Sequence, residues 1–195
     1  MEPLSWAAIF GRMIFQLMPV WIALFVLFAV SISFKRKLGL YGKLFDSTIG
    51  MIGFGLVMFW VFVGIFGGPL DMIITHDPLS QISGMKNKGP GTALSSPGEG
   101  EYGYFLLGGD HLARDVFSRM IKGAWIVVQI APLATLFAFM VGITLGLPAG
   151  YYGGRLDTLL SFLANLILAF PVILLFYLLV TPEIVLTGIP NYMAL

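Results

Sequence analysis

His111, Arg114 and Asp115 stand close together in the stretch LLGGDHLARDVFSRMIKGAW, and theirs are the types and spacing that would suit acid–base chemistry. A hydrolytic centre would also need a nucleophile held against the base, and a third group to orient that base. No nucleophile stands in a recognisable relation to these three residues. Asp71, Asp77, Glu99 and Glu101 lack the spacing of a metal loop and read as scattered, solvated carboxylates. The chain has no cysteine, which excludes disulfides, thiolate zinc sites and cysteine nucleophiles. Its two histidines, His76 and His111, exclude a histidine-rich metal centre. We therefore expect no catalytic, metal or cofactor-binding residue.

The element that must carry these side chains reads as an amphipathic helix over residues 110–122. His111, Arg114, Asp115, Ser118, Arg119 and Lys122 form one polar stripe, and Leu112, Val116, Phe117, Met120 and Ile121 form the opposite face. Asp110 is placed to cap its start and Gly123 to end it. Asp115 and Arg119 stand at i, i+4, a pair worth a few tenths of a kcal/mol, roughly, if exposed. On spacing alone such a helix would pack on a soluble core. The next segment, 124–147, has no charged residue. About 20 apolar residues suffice to cross the hydrocarbon, so the helix is expected to lie flat at a membrane surface.

Composition agrees. Of 195 residues, 58% are hydrophobic and 11% charged, against roughly 25% charged in an ordinary soluble domain. The expected class is an all-α integral membrane protein with four transmembrane helices plus the surface helix. The net charge of +1 carries no nucleic-acid footprint.

Residues 13–34 form the first expected span. Its apolar run is too long for a signal peptide, and its basic cluster follows rather than precedes it. That cluster, Lys35, Arg36, Lys37 and Lys43, is expected in the cytoplasm, which puts the N-terminus outside. Residues 1–47 thus form an extra helix and a basic linker. Residues 48–195 form a transmembrane domain with spans 48–67, 124–147 and 158–181 and an external loop 68–107, rich in Gly, Pro, Ser and Asn. Gly50, Gly53, Gly55 and Gly64 allow close approach within the second span. In the third, Ala138, Gly142, Gly146 and Gly150 lie four apart, a small face for helix packing. Pro132 is a candidate kink. Tyr151 to Arg155 make a tight inner turn, and Asp157 is placed to cap the fourth span. Asn165 should face protein or water, and Pro171 should bend that span near Phe170.

The blocks LLGGDHLARDVFSRMIKGA, AGYYGGRLDT and LANLILAFP, in that order and with matching spans between them, resemble the inner-membrane permeases of ABC importers. The likeness is to the C-type permease of the dipeptide, oligopeptide and nickel group, and is strongest from Leu106 to Pro171. It matches Leu107, Gly108, Asp110, Arg114, Asp115, Ser118 and Arg119 to an outer surface-helix motif. It matches Ala149 to Gly154 and Asp157 to an inner turn, and Ala169, Phe170 and Pro171 to a kinked helix. Three positions depart: Gly109 stands where threonine is frequent, Ala113 where glycine is, and Asn165 where an acid is. The span 13–34 reads as an addition to the pattern. The loop that receives the ATPase lies further along in the family and has no counterpart before Leu195, so the chain reads as incomplete at its C-terminus.

The resemblance implies a bacterial inner-membrane, multi-pass permease subunit that is not itself an enzyme. It implies a second permease, two cytoplasmic ATPases holding ATP and Mg, and an external substrate-binding protein, in contact with membrane lipid and with no nucleic acid. It would form part of a path for peptides or similar small solutes by alternating access. Asn165, Phe170 and Pro171 would line or kink that path, and Asp110, Arg114, Asp115 and Arg119 would dock the binding protein. The alternative is a structural subunit that only scaffolds a membrane complex. An intramembrane enzyme would need paired carboxylates, a serine with a base or histidine ligands inside the spans, and none is present.

Overall fold

A computed structural model describes residues 3–37, 39–98, 101–169, 171, 173, 174 and 177. The first helix, α1 (Trp6–Gln16), starts at Ser5, whose hydroxyl accepts the Ala8 amide at 3.3 Å. It stops at Leu17, which is also the residue from which α2 (Met18–Phe34) begins. The expected single span 13–34 is therefore two helices. Pro19 explains the break: it has no N–H to give to the preceding turn, and its fixed φ suits the first turn of a new helix.

After α2 the chain turns through Lys35–Lys37, the short α3 (Gly39–Gly42) and Lys43–Asp46. Lys35 pairs with Asp46 at 3.1 Å, and the Ser31 and Tyr41 hydroxyls meet at 2.9 Å. The chain then enters α4 (Thr48–Gly67), with Ser47 accepting the Gly50 amide. This matches the span expected at 48–67. Helices α2 and α4 run antiparallel, because Trp21 stacks near Phe59 while Phe28, later in α2, meets Phe54, earlier in α4.

Residues 68–115 form a small module. Its two strands, β1 (Thr92–Ala93) and β2 (Tyr104–Phe105), pair antiparallel with Thr92 opposite Phe105. One apolar cluster joins Ile73 and Leu106 of this module to Val20 of α2, Val63 of α4, and Phe117 and Ile121. A second holds Met85, Leu94 and Phe105. The first residues of the chain belong to the same body. The Leu4 amide donates to the Gly91 carbonyl at 2.9 Å, Ile9 is buried, and the Arg12 guanidinium sits 4.6 Å over the Tyr104 ring. The 68–115 segment is thus more ordered than its loop-like composition suggests.

The largest departure from expectation follows. Residues 110–115 are not helical, and α5 runs unbroken from Val116 to Tyr152. The expected surface helix 110–122 and span 124–147 are a tight turn followed by one 37-residue helix, which neither Gly123 nor Pro132 interrupts. At 1.5 Å per residue it is about 55 Å long, well beyond the roughly 30 Å of hydrocarbon. The upper part of α5 lies against α4 through glycine. A Cβ on Gly64 would stand 3.0 Å from Val128 Cγ2 and 3.2 Å from the Ala124 carbonyl, and one on Gly67 or Gly68 would overlap Ile121 or Trp125.

The chain divides into two compact units, Met1–Leu133 and Ala134–Leu195. The second contains the lower part of α5 and α6 (Gly154–Ala169), joined at Gly153 and Gly154, both with positive φ. Tyr151 and Tyr152 are the last residues of α5 rather than part of a turn. Helix α6 begins before Asp157, so Asp157 lies in its first turn and does not cap it from outside. Among the described residues three helices are long and apolar enough to cross a membrane: Met18–Lys37, Thr48–Gly67 and Val116–Tyr152. The protein is thus mainly helical with multiple candidate spans. Most of the expected fourth span beyond Ala169 lies outside the described residues.

Candidate functional site

The polar residues singled out in the sequence gather where the 68–115 module meets α5, on a turn and a helix start. Asp110 organises the turn. Its Oδ1 accepts the amides of Leu112 (2.8 Å) and Arg114 (3.0 Å), and its Oδ2 accepts Arg114 Nε at 2.8 Å. Two acceptances this close in sequence close an Asx-type turn, the local alternative to a helix for aspartate. The fold back is completed at Ala113, which has φ +61°, and by the bridge between Gly109 and Asp115. Burial would raise the Asp110 carboxyl, but the Arg114 and Leu112 bonds outweigh it and hold it at about 2. Arg119 Nε stands 3.6 Å from the same Oδ2. Asp110, Arg114 and Arg119 therefore form one partly exposed charged group, while His111 is exposed beside them.

Gly108 and Gly109 hold this turn against the segment below it. Gly108 has φ +84°, and a Cβ on Gly109 would overlap the Met85 carbonyl oxygen. The departure at Gly109, where threonine would be frequent, thus has a steric reason in this chain.

Asp115 does different work from that expected of it. It does not pair with Arg119. Its side chain is fully buried and caps α5, with Oδ1 accepting the Phe117 amide at 3.1 Å and Oδ2 the Ser118 amide at 3.4 Å. Oδ2 also accepts the Ser118 and Thr75 hydroxyls, both at 2.7 Å, and faces His76 Nδ1 at 3.1 Å. Ser118 Oγ in turn accepts the amides of Thr75 (3.3 Å) and His76 (3.0 Å). The other ring nitrogen of His76, Nε2, lies 2.6 Å from the Tyr102 carbonyl oxygen. The His76 ring packs edge-on to Phe105 at 5.0 Å and its side chain is 2% exposed. Burial works to lower the imidazole pKa, but the bonds to Asp115 and Tyr102 and the charges of Asp115 and Glu101 carry it above 6.5. Burial works to raise Asp115, and the bonds from His76, Ser118 and Thr75 carry it below its ordinary value.

This arrangement is a closed structural joint. Ser118 donates to the carboxylate rather than to the imidazole, and the group is sealed from solvent, so it has neither the order nor the access of a hydrolytic triad. Sequence reading missed Thr75 and His76. Nothing local links them to a carboxylate some forty positions away.

The other singled-out residues lie apart from this joint. Ala138, Gly142, Gly146 and Gly150 are exposed on α5, and a Cβ at any of the three glycines would meet nothing within 4 Å. Asn165 is exposed on α6, Pro171 is exposed beyond its end, and Phe170 lies outside the described residues.

An apolar groove of about 620 Å³ runs between α4 and α5, lined by Trp60, Val61, Val127, Val128 and Pro132 among others. It holds no group that could do chemistry.

Comparison with known proteins finds the chain similar to permeases over part of their length. It is 30% identical over 135 residues to the dipeptide transport system permease protein DppC of Alkalihalophilus pseudofirmus, covering 69% of this chain and 40% of that protein. It is 42% identical over 77 residues to the glutathione transport system permease protein GsiD of Pectobacterium atrosepticum, covering 40% and 26% respectively. It is 32% identical over 85 residues to the nickel transport system permease protein NikC of Escherichia coli, covering 44% and 30%. The resemblance drawn from the sequence is therefore upheld over the matched stretches. The chain spans 40% or less of the length of these relatives. No family model matches it, and no solved structure gives a significant match.

Proposed function

We infer that this chain, a relative of the permeases of peptide- and nickel-importing ABC systems, is a membrane-spanning subunit of such an importer. The observation that carries the reading is the 135-residue match to a dipeptide permease in a chain with three helices long and apolar enough to span. Its substrates are peptides or similar small solutes. The work of ATP hydrolysis falls to two separate cytoplasmic ATPases, which hold the ATP and Mg, and a second permease subunit completes the path.

The geometry supports an orientation. The chain start and the 68–115 module are bonded to each other through Leu4 and Gly91, so both lie on one side of the membrane. Helices α2 and α4 cross and return between them, and the basic residues Lys35, Arg36 and Lys37 fall at the far end. By the positive-inside rule that end is cytoplasmic and the module is external. The module is then the surface that meets a substrate-binding protein, through the exposed parts of the Asp110, Arg114 and Arg119 group. Asp115 supports that surface from within. The small face Ala138–Gly150 is open to a partner helix, and Asn165, Phe170 and Pro171 belong to the path or its bend. Transport proceeds by alternating exposure of that path.

Crosslinking tests the docking. A photoreactive group at Arg119 should link to the co-expressed binding protein in at least one nucleotide state. Absence of a link in every state would defeat this role for the module. A tag in the Gly153–Gly154 turn should be reached only after the cells are permeabilised; labelling in intact cells would reverse the orientation.

A further inference from the structure

We propose that His76 is held as an imidazolium, and that this proton is the pin fastening the 68–115 module to the first turn of α5. Both ring nitrogens face groups that only accept: the Asp115 carboxylate at 3.1 Å and the Tyr102 carbonyl at 2.6 Å. A neutral imidazole has one N–H and would leave one of these contacts as acceptor against acceptor. Protonating Asp115 instead is disfavoured. An Oδ2–H could donate to Nδ1, but Oδ2 already receives the hydroxyls of Thr75 and Ser118 and the Ser118 amide, and these donors stabilise the carboxylate and favour the proton on the ring. The ring therefore carries both protons.

The surroundings leave that charge matched by Asp115 alone at contact distance. Glu101, next to Tyr102, adds a longer-range attraction. On α1 the nearest cation, Arg12, is engaged over Tyr104. On α5, Arg119 faces Asp110 and Lys122 reaches the Gly68 carbonyl. Beside His76, Asp77 accepts the Leu79 amide and the Ser80 hydroxyl. The rings of Tyr102 and Phe105 close the remaining sides.

The pin joins three parts of the chain that are separated in sequence: the bend at residues 75–76, the β2 approach at Tyr102 and the α5 cap at Asp115. Losing one proton leaves one of the two ring contacts acceptor against acceptor and so loosens one of these parts from the others. The direction with pH follows from linkage. The joined state binds a proton that the open state releases near 6.5, so the joint is at full strength below that pH and weakens as pH rises toward the folded-state value. The pin stands on geometry alone; only its meaning for transport, as the link from a docked partner to α5, rests on the permease reading above.

The test uses the full chain in lipid nanodiscs with nitrogen-15-labelled histidine and His111→Asn, so that one imidazole remains. At pH 7.5 the two ring nitrogens of His76 should have similar shifts, the imidazolium signature. Widely separated shifts there would overturn the proposal. In parallel, amide exchange at Thr75 and His76, corrected for the intrinsic rate, should lose protection by about tenfold per pH unit above 6.5 until the folded-state pKa is passed. His76→Gln should show weaker protection with no such slope. A flat profile in the wild-type chain would overturn the pin even if the variant fails to fold. Both readouts are independent of transport, so they fail or succeed apart from the permease assignment.

Discussion

Replacing Asp115 by alanine removes the one carboxylate on which the joint converges, and the structure sets the size of the effect. The helix cap goes first, since both side-chain oxygens receive amides of the first turn, and a lost cap costs about 1 kcal/mol. Ser118 Oγ, which accepts two amides, can then donate to Thr75 Oγ1 at 3.0 Å, and the half-buried Thr75 hydroxyl turns to solvent. His76 decides the rest. A buried cation with no partner would cost about 3–5 kcal/mol. At pH 7 the ring escapes most of this by losing a proton. It keeps Nε2–H on the Tyr102 carbonyl and leaves Nδ1 unmatched, at about 1–3 kcal/mol. The local penalty is therefore about 3 kcal/mol, or roughly a 100-fold loss of amide protection at Thr75, His76, Phe117 and Ser118. Asp115→Asn separates the parts, because asparagine caps about as well as aspartate. It should keep Phe117 protected while loosening Thr75 and His76. Mass-spectrometric or NMR exchange on the chain in nanodiscs reads all four positions. If Asp115→Ala changes them by less than about threefold, the range of an ordinary surface substitution, the joint does not carry the energy argued for it.

Three further outcomes follow from the same region. Ala113 holds φ +61°, a conformation costing an L residue about 1 kcal/mol, so Ala113→Gly should stabilise the turn by about 0.5–1 kcal/mol, read as slower exchange of the Ala113 amide. Gly109→Thr should displace residues 85–89, because its Cβ overlaps the Met85 carbonyl. Losing the Gly109–Lys88 and Asn87–Asp110 bonds (each 3.0 Å) would cost about 2 kcal/mol, measurable as a lower thermal midpoint. The Asp110 carboxyl, held at about 2, should stay ionised until pH falls through that value. Its support is present above 3.8 and lost on acidification, and a carbon-13 titration should show Arg114→Ala moving its midpoint upward.

Local punctuation made some of this architecture legible. Ser47 before an apolar run and Gly67-Gly68-Pro69 after it mark both ends of α4, and the helix falls between them. Pro19 was an equally local sign of the α1–α2 break, but the long, mostly apolar run from Met13 hid it. The helix read onto residues 110–122 is correct from Val116 onward and fails before it, and its faces are not as read, since Ser118 of the expected polar stripe is buried and Met120 of the apolar face is exposed. Periodicity does not register that Asp110 can satisfy two amides by itself in a turn. Gly123 did not end a helix because neighbours in a spanning segment, rather than propensity, hold it together. Spacing paired Arg119 with Asp115, whereas it stands against Asp110; only the family resemblance put Asp110, Arg114 and Arg119, together with Asp115, in one group. The pairing of His76 with Asp115 was not readable at all: it is made by tertiary packing across some forty residues, and each residue alone looks like an ordinary member of a polar stretch.

The bond from Leu4 to Gly91 has a practical consequence for anyone labelling this protein. The first helix completes the module, with Ile9 seated beneath Gly91 and Arg12 laid over Tyr104. A fluorescent reporter or affinity handle fused just ahead of residue 3 would compete for that seat and disturb the surface it was meant to observe, whereas the glycine pair after Tyr152 offers an insertion point with open space around it.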